Sequence, residues 1–253
     1  LGVGGTTGQW LRSPWRSLPA NGLAVAPTND PVVRKHLPTD RRTLLVGLSD
    51  IDGANAYVSD GQMIVDGTNI GAVADLPRAF DHDITNTMVA AALALELGAT
   101  VAGIAAAIGS YELPPHRIQH VATANDIAYY NDSKATVPHA VVTAVRSFDS
   151  VVLIAGGRNK DLDLSELRDI SDRTRAVVAM GDAAQEIAAA FGGSASVDFA
   201  TDMDDALARA NALAQPGDTI LLSPGCTSFD AYANYGARGD DFIRAVHDLL
   251  EAP

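Results

Sequence analysis

Three loops hold the residues whose types could do chemistry. They read Asp132-Ser133-Lys134-Ala135-Thr136, Gly156-Gly157-Arg158-Asn159-Lys160-Asp161 and Ser223-Pro224-Gly225-Cys226-Thr227-Ser228. The chain has three lysines, Lys35, Lys134 and Lys160, and two of them fall in these loops. A lysine is a compact point charge that suits a carboxylate or a phosphate, so two of them placed this way in an acidic protein point to a small anionic ligand. Solvated surface lysines beside ordinary turn glycines would read the same way, and periodicity alone slightly favours that plainer reading.

Each loop follows a short β-prone run: IAYYN, VVLIA and TILLS. These runs, with AVVAM and VDFA, alternate with helical segments at Pro138 to about Val145, Ser165 to Ser171, Ala183 to Phe191, Asp204 to Leu213 and a last one ending at Leu250. The alternation predicts a doubly wound, Rossmann-like α/β fold, a parallel sheet with helices on both faces. In such a sheet ligands bind beyond the carboxyl ends of the strands, which puts the three loops on one rim. Upstream, TLLVGL and AYVSDGQMIVDG predict a small β region with a hairpin turn at Asp60-Gly61. Two Ala-rich helices follow, Asn86 to Leu97 and Thr100 to Ile108, with Gly98 ending the first. Leu113-Pro114-Pro115 is the linker, because two prolines stop a helix and stiffen a connection. It divides the chain into domains 1–112 and 113–253.

Composition narrows the function. With 47% hydrophobic and 19% charged residues the chain can bury a proper core, and its formal net charge of −13 repels phosphate backbones and anionic lipid. No nucleic-acid or membrane partner is expected. The single cysteine, Cys226, supports neither an internal disulfide nor a cysteine-based zinc cluster, so a reducing cytoplasm is the expected setting. The first residues do not read as a signal peptide. The apolar stretch from Met88 to Ile108 is broken by Glu96, Gly98 and Thr100 and reads as buried helices. No G-x-G-x-x-G follows a strand, which argues against a nicotinamide enzyme. His82 reads as a capping or packing residue, Cys226 as an inert small residue and Gly192-Gly193 as a plain loop. No residue is assigned a catalytic or metal-binding role.

YYNDSKAT, VVLIAGGRNK and LLSPGCTSFDAYANYGARGDDF, in this order and spacing, closely resemble three segments of the D-glutamate-adding branch of the Mur ligase family. LPPHR resembles that family's domain linker, and HDITN resembles its central HNxxN motif. DSKAT is the most specific piece, since sister ligases for other amino acids differ there. The resemblance, which runs from about Leu23 to the end, implies a carboxyl-terminal α/β domain attached to a truncated central ATPase domain. It implies the joining of D-glutamate to UDP-N-acetylmuramoyl-L-alanine with ATP and Mg2+, through an acyl phosphate attacked by the D-glutamate amine. It further implies that Lys134, Thr136, Lys160, Ser228 and the Tyr235 backbone N–H hold the D-glutamate carboxylates, with Asn86, Arg117 and Asp132 on the nucleotide side. Ser228 is expected where a helix begins, an end whose free N–H groups favour a carboxylate.

Several positions depart from the family. Asp83 replaces the first asparagine of HNxxN and is expected to weaken nucleotide binding unless it is paired or solvated. Val137 replaces an asparagine after DSKAT, and Gln119 a glutamate after the HR pair. At the front, Gly5-Thr6-Thr7-Gly8-Gln9-Trp10 resembles a degraded GTNGKT loop, with glutamine for the phosphate-binding lysine and tryptophan for the magnesium-side hydroxyl. An unrelated Gly-rich segment is the equal alternative. Lys35 lies beyond the position expected of the family's carbamylated lysine. A ligase incomplete as this chain is therefore expected, or else a non-catalytic binding relative, or half of a split ligase whose separate partner chain carries the amino-terminal half.

Overall fold

In the computed structural model the described residues are 17–51 and 53–251. The segment Gly5 to Trp10 lies outside them. The chain divides into two compact units, Leu1–Glu112 and Leu113–Pro253, each with its own sheet and core.

The first unit carries a five-stranded sheet in the order β1-β2-β3-β4-β5, formed by Leu23–Pro27, Arg42–Val46, Ala56–Ser59, Gln62–Val65 and Thr68–Ala72. The first three strands run parallel and the rest form an antiparallel meander. Asp60 and Gly61 take φ of 49° and 73°, the two positive values that a tight hairpin turn between β3 and β4 demands. A short helix, α1 (Pro31–Lys35), follows β1. Helices α2 (Asp81–Glu96) and α3 (Val101–Ser110) bury Ile84, Met88, Ala91, Ala92 and Ile104 against Met63 and Ile70 of the sheet.

Helix α2 starts five residues before the Asn86 expected from sequence. The Asp83 carboxylate accepts the Phe80 N–H at 3.3 Å and so closes the first turn. The expected stop holds: Gly98 takes φ +88°, a left-handed value that glycine adopts without strain.

The second unit is a six-stranded sheet in the order β10-β9-β8-β11-β7-β6. Its strands are β6 (Gln119–Ala124), β7 (Ile127–Asn131), β8 (Val151–Gly156), β9 (Thr174–Met180), β10 (Ser196–Ala200) and β11 (Thr219–Gly225). Every residue of β8 and β11 is buried, which is why their sequences are continuous apolar runs without alternation. The helices are α4 (Pro138–Val145), α5 (Ala184–Phe191), α6 (Met203–Leu213) and α7 (Tyr235–Glu251). Helices α4 and α5 pack with the 3₁₀ segment Ser165–Ile170, while α6 packs with α7, so the two groups cover the sheet as a doubly wound fold requires.

Two expectations need correction. The sheet is parallel from β10 to β7, but β6 pairs with β7 antiparallel across a turn in which Asn125 and Asp126 take φ of 52° and 61°. The segment Ser165–Ser171 is not α-helical: Ser165–Ile170 is a 3₁₀ segment held by i to i+3 bonds such as Leu167 N–H to Leu164 O at 3.0 Å. Among the described residues no helix is long and apolar enough to cross a membrane.

Candidate functional site

Strand β11 lies between β7 and β8, with Leu222 level with both Asn131 and Ile154. The three loops therefore leave the sheet side by side at its carboxyl edge, where the strand order switches direction. They are stitched together by backbone. Arg158 N–H donates to Thr227 O at 2.8 Å and Thr227 N–H to Arg158 O at 3.0 Å, while Gly225 N–H donates to Ala135 O at 2.9 Å.

The glycines are structural necessities. A Cβ on Gly156 would lie 1.9 Å from Met180 O, and one on Gly157 would lie 2.2 Å from Thr227 O, both at φ above +100°. The reading of these glycines as ordinary turn residues is overturned by that close approach.

Both loop lysines rest on aromatic rings. Lys134 Nζ lies 5.4 Å from the Tyr235 ring centroid and Lys160 Nζ 5.3 Å from that of Phe229, cation–π contacts that keep each ammonium beside the rim without neutralising it. Thr136 is half-buried just before α4. Ser228 is buried, but it does not begin a helix as expected. It opens a turn, its carbonyl accepting Ala231 N–H at 3.2 Å and Tyr232 N–H at 2.8 Å. Helix α7 begins at Tyr235, with Asn234 as its cap through Ala237 N–H to Oδ1 at 2.9 Å. The Tyr235 N–H thus belongs to the first turn, whose donors no helical carbonyl uses.

The residues assigned to the nucleotide are placed differently. Asn86 is exposed on α2 of the first unit. In the second unit Arg117 is exposed between His116 and Ile118, which take φ of 61° and 43°. Asp132 is buried, and its two oxygens accept Ile118 N–H at 3.2 Å and Ser223 Oγ–H at 2.8 Å. It therefore fixes the turn that carries Arg117. Gln119, the departure from glutamate, accepts His116 N–H through Oε1 at 2.9 Å.

Asp83 is paired. Arg78 Nε and Nη2 donate to its two oxygens at 2.7 and 2.8 Å, both side chains being largely buried. The carboxylate is neutralised by its own neighbour, which removes the ground for expecting it to repel a nucleotide. Burial lowers the pKa of His82 beside this pair, leaving the imidazole neutral at pH 7 in a packing role. Burial also pushes the Cys226 thiol up to about 11, so it carries no thiolate at neutral pH. Among the described residues no group of three or more His, Cys, Asp or Glu could hold a metal ion.

One residue escaped the sequence reading. Arg238, in the second turn of α7, is only 2% exposed and donates to Ser133 Oγ at 3.0 Å, Ser133 O at 2.9 Å and Cys226 O at 3.2 Å. Burial lowers its pKa to about 10, still charged at pH 7. It borders a cavity of about 200 Å³ with Gly156, Gly157, Gly181, Asp230 and Tyr232. The available signal was Gly-Ala-Arg-Gly: an arginine flanked by residues small enough to let its helix sit close. Gly239 is packed so tightly that a Cβ would come within 2.3 Å of His116 Nδ1.

Residues 116–226 match the family described as Mur ligase, glutamate ligase domain, and the chain belongs to the Mur ligase family. Within that family it is 41% identical over 222 residues to the UDP-N-acetylmuramoylalanine–D-glutamate ligase of Desulfosudis oleivorans, covering 86% of this chain and 48% of that protein. With the ligase of the same name from Salinibacter ruber it shares 38% identity over 216 residues, covering 83% of this chain and 47% of that protein. The chain spans about half the length of the curated relatives it matches. Among solved structures, Mycobacterium tuberculosis folylpolyglutamate synthase complexed with ADP and AMPPCP matches at a TM-score of 0.66 and 16% identity. That match covers 100% of this chain and 61% of the synthase and is a likeness of fold.

Proposed function

We propose that this chain carries the amino-acid half of an ATP-dependent ligase that adds D-glutamate to UDP-N-acetylmuramoyl-L-alanine in peptidoglycan precursor synthesis. The observation that supports it most is the side-by-side exit of three loops bearing Lys134, Lys160 and Ser228 next to the first turn of α7. Two ammonium groups, the Thr136 and Ser228 hydroxyls and the Tyr235 N–H offer donors enough for two carboxylates. Holding the amino acid there leaves its amine to attack an activated acyl group, and orientation of that kind lowers the barrier. Asn86 and Arg117 are the proposed nucleotide contacts, with Asp132 acting by fixing the turn at Ile118. The family likeness implies ATP and Mg2+, in a cytoplasmic setting that suits the single buried thiol.

Calorimetry tests the amino-acid site. D-Glutamate is expected to bind at least about tenfold more tightly than L-glutamate, and Lys160→Ala to weaken it about 10- to 100-fold by removing a charge-assisted hydrogen bond. Equal binding of the two enantiomers would refute the assignment.

A further inference from the structure

We propose that Arg238 is a positioning residue of this rim, tying its three loops together and setting beside them a buried positive charge that no hydrogen-bonded carboxylate cancels. The ligand class, an amino acid with two carboxylates, rests on the function proposed above. The tie itself rests on geometry alone.

A planar guanidinium presents five donors in a fixed fork. Here Nε and Nη2 donate to Ser133, Nη1 and Nη2 both lie 3.2 Å from Cys226 O, and Nη1 is 3.5 Å from Gly156 O. One side chain therefore reaches the residue before Lys134, the end of the strand that leads to Lys160, and the loop that contains Ser228. Ser133 carries the connection onward, its Oγ donating to Tyr235 O at 2.7 Å. The segments that carry four of the five groups assigned to D-glutamate are thus tied to one point, directly at Ser133, Gly156 and Cys226 and through Ser133 at Tyr235.

A buried arginine ordinarily has a carboxylate partner. The hydrogen-bond acceptors of Arg238 are carbonyl and hydroxyl oxygens instead. Asp230 acts on it only through space, and its carboxylate accepts the Asp182 N–H at 3.2 Å. Neutral dipoles satisfy the donors without cancelling the charge, so much of it remains to favour a nearby anion in a poorly solvated setting. In a chain of net charge −13 such a fixed cation offsets the general repulsion of an anionic ligand where it matters.

The test uses the full chain with R238M, which keeps an apolar stem, and R238K, which keeps the charge without the fork. Without ligand, hydrogen exchange of the amides in residues 132–136 and 226–235 should quicken about tenfold or more in both variants, while exchange in β8 and β11 stays as in the native protein. Unchanged loop exchange overturns the tie. With ligand, R238M should raise the Kd of D-glutamate at least about tenfold more than that of D-glutamine, which has one carboxylate fewer. R238K should keep the native ratio of the two. A merely structural role would weaken both ligands equally, and that result overturns the electrostatic part. If R238M does not fold, R238K decides: quickened loops with the native ratio support the proposal, and a lost ratio refutes the charge. If the native chain binds neither ligand, or Lys160→Ala changes nothing, the proposed function falls while loop exchange still decides the tie.

Discussion

The Asp83 carboxylate accepts from two Arg78 nitrogens and from the Phe80 N–H, so it is half of an ion pair and the lock on the first turn of α2. Asp83→Asn should therefore cost the first unit about 1–2 kcal/mol, since an amide makes weaker bonds to Arg78 than a carboxylate does. Urea unfolding followed through the first unit checks this, and an unmoved midpoint would show that the pair contributes nothing. Nucleotide affinity should stay unchanged in the same variant. Sequence showed the departure at Asp83 but not its meaning, because Arg78 stands outside the HDITN motif and nothing in a motif reveals a partner. The same limit hid Arg238, whose acceptors sit up to 105 residues away in other loops. The lysines were legible for the opposite reason: a charge in a Gly-rich or polar loop after an apolar run stands out locally.

Helix α4 enters through Val137, which takes extended backbone angles of −137° and 148° and, as a valine, offers the first turn no side-chain acceptor. Pro138 at the first helical position already lacks an N–H and the Ala140 N–H donates to Val137 O at 3.1 Å, but no side chain caps the turn. Val137→Asn restores the residue that the family resemblance leads one to expect and should stabilise the second unit by about 1 kcal/mol. A higher thermal midpoint with the loop unchanged would bear this out; a lower one would mean that the half-exposed valine packs usefully. Long apolar runs bounded by loops made β7, β8 and β11 readable, because strands buried on both faces need no alternation. The β6–β7 hairpin was missed although Asn125-Asp126 is a turn-forming pair, since its strand HVATA looks as polar as a loop. Strands β1 and β5 are short and half-buried, so neither period nor run length marks them.

At the scale of the whole molecule, each unit has its own sheet and core. In the second unit, one core cluster is built from that unit's own strands and helices, among them Tyr129, Ile154, Val178, Leu207, Ile220 and Phe242. Residues 116–226, which match the glutamate ligase domain, also lie inside it. A unit of this size buries roughly two-thirds of its unfolded surface, enough for independent stability. Lys134, Thr136, Lys160, Ser228, Tyr235 and Arg238 all belong to it, and so do all the hydrogen bonds of Arg238 described above. A fragment of residues 113–253 should therefore unfold in one cooperative transition. It should bind D-glutamate within about twofold of the full chain, the tolerance set by the small coupling between distant, independent sites. Denaturant titration and calorimetry on the fragment measure both quantities. A fragment that folds yet binds about tenfold more weakly would mean that the first unit contributes to holding the amino acid, and the site would then have to be sought beyond these three loops.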